Sequence, residues 1–351
     1  MCKMGKLFTI NDKPLIIAGP CSAESPEQLR QVADALSSDS RISMFRCGIW
    51  KPRTRPGGFE GMGETALQWI ESLRKDYPKM LFCCEVARPE HAELCQRYGI
   101  DAVWIGARTS VNPFLVGELA ESLRGSGLAV MVKNPITPDV NLWIGAIERL
   151  QQARINDIAA IHRGFTTYNH TAYRNNPLWE IPIELKRRMP ELPLLSDPSH
   201  ISGRREVVAR LSQMALDLHF DGLMIECHPD PIHALTDSSQ QITPQELHTL
   251  LDGLKIRQQG TTTPGDIRRL RDELDMIDTQ LLELLSQRMK ISTAIGDIKR
   301  EHNMPLFQPE RWQHVLDKQI AKGTTLGLDA QFVKELSEKI HGESIRIQMQ
   351  R

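Results

Sequence analysis

The sequence has no CxxC pair and no cysteine beyond position 227. Its seven cysteines, an odd number, stand at 2, 21, 47, 83, 84, 95 and 227. That pattern argues against a disulfide framework and for core residues or ligands in a reducing, cytoplasmic setting. No apolar run approaches the ~20 residues that a membrane span needs, and no charged-then-apolar leader precedes the first apolar run. Charge of one sign is also missing, because 43 Lys and Arg face 44 Asp and Glu for a formal net charge of −1. A balance so near zero gives no field for nucleic acid or an anionic membrane surface, so any anionic ligand must be caught by a local cluster.

What is present is ordinary for a soluble globular protein, 40% hydrophobic and 25% charged over 351 residues. That length allows one large domain plus a small one, or two medium ones. Short apolar runs recur along the first part: PLIIAGP (14–20), MFRCGI (44–49), LFCCEV (81–86), AVWIGA (102–107), AVMVKN (129–134), DIAAIHRG (157–164), LPLLSDP (192–198) and GLMIECH (222–228). Most of the intervals carry helical spacing, with Ser25 before Pro26 and Thr243 before Pro244 as N-caps. Continuous apolar strands alternating with helices indicate a parallel sheet buried on both faces, and eight units fit a closed (β/α)8 TIM barrel of the α/β class. A doubly wound open sheet fits less well. It uses fewer strands and a glycine-rich first turn, whereas the glycines of GGFEGMG (57–63) do not open a helix straight after a strand.

The alternation stops near Gln258, and QQGTTTPG (258–265) is polar with proline and glycine. We therefore expect a barrel over 1–258, a linker over 259–265 and a small all-α domain over 266–351. Ile267, Leu270, Leu274, Ile277, Leu281, Leu284, Ile291, Ile295 and Ile298 keep a 3/4 spacing, which predicts one long amphipathic helix of roughly 50 Å. Pro305 ends it, and further helices are expected over about 310–322 and from Asp329 onward. The first helix is too long to be covered by so few residues, which predicts self-association.

In a barrel of this type the active site lies at the C-terminal strand ends. Read in order, those ends offer Cys21, Arg46 with Lys51 and Arg53, Glu85, Arg108, Lys133, Arg163, His200 and Glu226. The first, seventh and eighth strands are neighbours in a closed barrel. They carry Cys21, His200 and Glu226, with Asp237 in the following loop, a donor set for a divalent ion such as Mn, Fe, Co or Zn. The cations gather on the second, fourth, fifth and sixth strands and suit a ligand bearing phosphate and carboxylate. Taken singly, a strand-end cysteine is most often a core residue and His200 a turn residue. Strand alternation makes His228 a lesser ligand candidate and sends Cys227 outward, while Asp230 and His233 stay open as ligands.

The segments AGPCSAES, KPRTRPGGFEG, IGART, DPSHISGRR and GLMIECHPDPIHALTD resemble the motif set of 3-deoxy-D-arabino-heptulosonate 7-phosphate (DAHP) synthase, nearest to its short type Iβ form, over about 1–258. The resemblance implies metal ligands at Cys21, His200, Glu226 and Asp237. It implies a phosphoenolpyruvate site of Arg46, Lys51, Arg108, Lys133 and Arg163, with Lys51 in a catalytic role, and an erythrose 4-phosphate site at Arg53 and Thr54. The sister family that makes the eight-carbon sugar acid has a KANRS-like segment where this chain reads KPRT, which favours the four-carbon aldehyde. The implied reaction is a metal-dependent, aldol-type condensation of the two substrates with water, releasing phosphate by C–O cleavage. Metal-bound water and Glu85 both stay open as the group that activates the water.

In the tail, Arg288 interrupts the apolar seam, and Lys299 points about the same way around the helix. Such an arginine needs an anion, or it snorkels to solvent. The stretch LRDELDMIDTQLLELLSQRMKISTAIGDIK, with SIRIQ near the C-terminus, resembles the all-α chorismate mutases. That resemblance implies Arg271, Arg288, Lys299, Arg311, Ser344 and Gln348 around chorismate, with Arg271 supplied by the partner of a homodimer and no cofactor. Arg288, Arg311 and the second subunit's Arg271 would bind the carboxylates, with Ser344 beside the substrate. Lys299 and Gln348 would stabilise charge developing on the ether oxygen. The chain departs from the family at Gln308 and Trp312, where carboxylates commonly meet the substrate hydroxyl, and Glu310 is the nearby substitute. The expectation is therefore a bifunctional enzyme with feedback by prephenate or chorismate. The alternative is a synthase whose tail is a sensing and dimerisation module.

Overall fold

The computed structural model describes residues 7–10, 13–51, 57–168, 172–257 and 265–350. The chain divides into two compact units, Met1–Gln258 and Gln259–Arg351. In the first, eight strands alternate with helices: β1 Leu15–Gly19, α1 Pro26–Ser37, β2 Ile42–Arg46, α2 Glu64–Asp76, β3 Phe82–Val86, α3 Pro89–Arg97, β4 Ala102–Ile105 and α4 Pro113–Leu123. There follow β5 Ala129–Lys133, α5 Val140–Gln152, β6 Ile158–His162, α6 Glu180–Arg188, β7 Leu194–Ser196, α7 Pro198–Ser202, α8 Val208–Asp217, β8 Gly222–Glu226 and α9 Pro244–Gly253. The strands pair in sequence order, all parallel, and β1 closes on β8. The first unit is thus a closed barrel, and the open-sheet alternative is excluded.

The capping chemistry follows the sequence. Ser25 accepts from the Gln28 amide ahead of α1, and Thr243 forms a reciprocal capping box with Glu246 ahead of α9. Pro26 and Pro244 fill first-turn positions that need no N–H.

Period-two alternation along the strands splits the core into two layers. Outward residues such as Ala18, Phe45, Val130 and Ile225 pack under the helices. Inward residues Ile17, Met44, Cys83, Trp104, Met131, Ile161, Leu195 and Met224 fill the barrel, with Phe8 packed among them. Each fully buried aliphatic contributes ~1.5–3 kcal/mol. Two residues beyond the last inward apolar position of a strand, the next inward place is polar: Arg46, Glu85, Lys133, Arg163, Asp197 and Glu226. One alternation therefore builds the apolar floor and aims the functional groups above it.

The second unit consists of α10 Gly265–Glu301, α11 Pro309–Thr325 and α12 Ala330–Met349, with α12 packed against both others. Its close contacts use small residues. A Cβ added at Gly296 would stand 2.7 Å from Gln348 Cγ, and one at Gly323 2.4 Å from Val333 Cγ2. The long seam of α10 is not buried within one chain. Ile267, Leu270, Leu274, Ile277, Leu281 and Leu284 are each 43–60% exposed.

Candidate active sites

At the barrel mouth, Cys21 follows β1, Glu226 ends β8, and Asp237 sits in the β8–α9 loop. Their donor atoms all lie within 4.8 Å of one another. His200 on α7 joins them, its Nε2 lying 3.8 Å from Glu226 Oε1 and 3.7 Å from Asp237 Oδ2. Asp237 has a left-handed backbone, φ 48°, a conformation held by its surroundings. Burial, with Glu226 adding to it, pushes the Cys21 thiol up to about 12. Burial also pulls the His200 imidazole down, against Asp197 and Glu226, which favours the neutral ligand form. Burial opposes ionisation of Glu226, but facing His200 and Arg46 hold its carboxyl below the usual range. One thiol, one imidazole and two carboxylates fit a borderline divalent cation, with the thiol proton released on binding.

Asp197 joins the donor set to the cations. As N-cap of α7 its Oδ1 accepts from the His200 amide at 3.0 Å. Its Oδ2 lies 2.8 Å from His200 Nδ1 and 2.7 Å from Lys133 Nζ. A carboxylate behind an imidazole fixes the ring and leaves the other nitrogen facing the donors. Gln240 plays a parallel part, donating from Nε2 to Glu226 Oε2 at 2.6 Å. Arg174 donates to Gln240 Oε1 at 2.6 Å and pairs with Asp237 Oδ1 at 3.1 Å.

Arg46 lies beneath this group, bonded to Glu226 Oε1 at 3.1 Å and stacked 4.9 Å from the Trp104 ring. Its Nε and Nη1 are buried without a hydrogen-bond partner. Lys51 Nζ reaches Cys21 Sγ at 3.2 Å. A Cβ at Gly48 would come within 2.3 Å of that ammonium and 2.4 Å of the Cys21 carbonyl, so this turn requires glycine. Arg163 donates to Asn175 Oδ1 at 2.7 Å, and burial lowers it to about 10, still cationic at neutral pH. Arg108 is exposed at the rim. Lys51, Glu85, Arg108, Lys133, Arg163, Arg174, His200 and Asp237 share a cavity of about 70 Å³. A wider groove of about 760 Å³ lies on the outer face around α8 and α9, away from these groups. Arg53 and Thr54 lie outside the described residues.

The remaining histidines of the strand-8 loop point elsewhere. His228 Nε2 is 3.4 Å from Glu24 Oε2, and exposed His233 pairs with Asp230 at 2.6 Å. Cys227 packs in the outer core layer, as alternation predicts.

In the helical unit, Arg288, Lys299, Arg311, Ser344 and Gln348 line one cavity of about 340 Å³. Arg288 donates to Ser344 Oγ, Lys299 Nζ to the Leu306 carbonyl at 2.6 Å, and Gln348 Nε2 to Ser292 Oγ at 2.9 Å. Arg271 is not among the lining residues. It lies 17 residues before Arg288 on α10, about 26 Å along the axis. Gln308 and Trp312 line the cavity, and Glu310 does not.

Residues 5–261 match the DAHP synthetase I family. A phospho-2-dehydro-3-deoxyheptonate aldolase of Thermotoga maritima is 30% identical over 249 residues, which cover 69% of this chain and 71% of the relative. The chain belongs to the DAHP synthetase I family. A crystal structure of the Thermotoga maritima aldolase superposes with a TM-score of 0.61 at 27% identity, covering 75% of this chain and 70% of that one. Residues 270–349 match chorismate mutase type II. Over 87 residues the chain is 32% identical to a 4-amino-4-deoxychorismate mutase of Streptomyces venezuelae, covering 25% of this chain and 84% of the relative. This DAHP synthetase therefore carries a second, chorismate mutase domain and is a bifunctional enzyme.

Within this DAHP synthetase, reading the sequence missed Asp197, Arg174 and Gln240. Asp197 had a signal, since an Asp–Pro pair ahead of a short helix is an N-cap. Arg174 and Gln240 lie in loops without periodicity, and only the folded loops bring them to the carboxylates.

Proposed function

We propose that the barrel condenses phosphoenolpyruvate with erythrose 4-phosphate in a metal-dependent reaction and that the helical unit rearranges chorismate to prephenate. The convergence of Cys21, His200, Glu226 and Asp237 beside Lys51, Lys133 and Arg163 carries the first half. A bound divalent ion would supply Lewis-acid polarisation of the aldehyde. Arg108, Lys133 and Arg163 hold the phosphate and carboxylate of phosphoenolpyruvate, and the two free Arg46 nitrogens add buried donors. Lys51 faces both groups and is placed to hold a proton beside the reacting oxygen. Arg53 and Thr54 bind erythrose 4-phosphate.

Residues 1–258 carry the synthase, 259–265 link, and 266–351 carry the mutase. Arg288 and Arg311 bind the carboxylates of chorismate, while Lys299 and Gln348 face its ether oxygen. The exposed seam of α10 and the distance from Arg271 to its own cavity support a homodimer in which a second copy supplies Arg271. The six cysteines among the described residues are free and buried, which supports a reducing cytoplasm. Prephenate, bound in the helical unit, inhibits the synthase.

Chelation is expected to abolish synthase activity, and no divalent metal should rescue Cys21→Ala. Full activity of that variant without metal would defeat the assignment. Conversion of chorismate should vanish in Arg288→Ala, and inhibition by prephenate should vanish in protein truncated after Gln258. A tail that binds prephenate without converting chorismate would instead be a sensor.

A further inference from the structure

The mutase cavity has a composition that selects among ring substrates. Arg288, Lys299 and Arg311 line it, and no Asp or Glu does so among the described residues. The three cations match the carboxylates of a chorismate-type substrate, but nothing on this wall would neutralise a further positive group. Chorismate carries an uncharged hydroxyl on its ring. The 4-amino-4-deoxy compound carries an amine there, an ammonium ion near neutral pH.

An uncharged hydroxyl still needs a hydrogen-bond partner in a desolvated cavity. Ser344 is already engaged by Arg288, and Ser292 by Gln348. Two buried polar atoms of the lining lack partners, Gln348 Oε1 and His341 Nε2. Gln348 is held against Gly296 on the α10 side. His341 stands on the other side, one turn before Ser344 on α12. Its ring stacks on Trp312 with centroids 3.9 Å apart and 12° between planes, and Phe307 lies 5.9 Å away. Trp312 and Gln308 line the cavity where the chain has no carboxylate to offer, and the stack holds the imidazole beside Trp312 in the same wall. Burial, then Arg288 and Lys299, pull His341 below its ordinary value, consistent with a neutral ring.

We propose that His341 is a specificity-determining residue of the mutase cavity: its Nε2 hydrogen-bonds the ring hydroxyl of chorismate, in a site that rejects the 4-amino counterpart. The inference rests on the mutase reading above and extends it to the choice between two substrates. A neutral imidazole can serve a hydroxyl as donor or acceptor, so the pairing holds in either tautomer. An ammonium in the same place would be a fourth cation without a counter-ion, and like-charge juxtaposition in a desolvated site is strongly unfavourable.

The test is a ratio of kcat/KM for chorismate over 4-amino-4-deoxychorismate, measured on full-length wild type, His341→Ala, His341→Gln and His341→Glu. Both substrates are assayed on one preparation, so partial unfolding cancels in the ratio. The wild-type ratio is expected at about 100 or more. Alanine should lower it, glutamine should restore part of the chorismate activity, and glutamate should shift preference toward the amine. Conversion of chorismate with a ratio indifferent to residue 341, or a wild type that prefers the amine, overturns the inference and leaves the mutase reading standing. A wild type that neither converts nor binds either compound overturns both.

Discussion

Replacing Asp197 with asparagine removes one charge while keeping the side-chain shape and a good N-cap. The carboxylate is fully buried, with Lys133 Nζ at 2.7 Å and His200 Nδ1 at 2.8 Å on the same oxygen. At that separation the lysine pair is worth about 6 kcal/mol of Coulomb energy at an effective dielectric of about 20, before desolvation is subtracted. What the substitution leaves is a buried ammonium without its anion, and breaking such pairs destabilises by ~3–5 kcal/mol. The imidazole also loses the carboxylate that orients it, a change that lowers metal affinity by about 10- to 100-fold in comparable sites. Two measurements follow. Cobalt titration of metal-free protein, read by thiolate-to-metal absorbance, should show that loss of affinity. Denaturant unfolding of the metal-free barrel should show the midpoint falling. Unchanged cobalt affinity together with an unchanged midpoint would refute the reasoning, because it would mean that Asp197 supports neither neighbour.

Burial depresses His162 from the ordinary 6.5 to about 3, so the unfolded chain takes up a proton that the folded barrel refuses. Its contribution is therefore intact above about pH 6.5 and is lost as pH falls toward 3, at up to ~1.4 kcal/mol per pH unit, and His162→Gln should flatten that slope in denaturant midpoints. Gly48→Ala should cut synthase kcat/KM at least about tenfold while leaving mutase turnover intact, since its Cβ would displace Lys51 or the Cys21 carbonyl. Gly296→Ala drives a methyl to 2.7 Å of Gln348 Cγ and should destabilise the helical unit by ~1–3 kcal/mol, read as a lower thermal midpoint. Ile277→Glu, in the exposed seam of α10, should halve the mass in sedimentation analysis, and an unchanged mass would count against association through that seam.

The barrel was legible because each strand is a short apolar run and helices such as α1 and α9 start on a cap that the sequence displays. The inward positions Arg46, Glu85, Lys133, Arg163 and Glu226 could be read from the same pattern: alternation continues past the last apolar residue, so Glu226 and Lys133 announce their direction. The long helix was legible from its 3/4 spacing. Its environment was not, because periodicity shows which residues share a face and not what covers them, and Leu274 and Leu281 are exposed in one chain. Arg288 illustrates the same limit. Its place on the seam could be counted, but its bond to Ser344 depends on how α12 folds back. Arg174 and Gln240 were harder still, since their roles come from loops whose approach no local pattern encodes.

Four cations at the barrel mouth already have partners within the fold. Lys133 is drawn onto Asp197, Arg163 onto Asn175, Arg174 onto Asp237 and Lys51 onto Cys21, which is why the cavity between them measures only about 70 Å³. On the proposed function, an anionic substrate would enter by exchange, taking over bonds that the protein first makes to itself. These internal partners act as a tethered competitor at fixed effective concentration, one that dilution cannot remove. Affinity at this mouth would then be a comparison between an incoming phosphate or carboxylate and the groups the fold keeps beside these cations. A weakly charged anion would lose that comparison however well it fits.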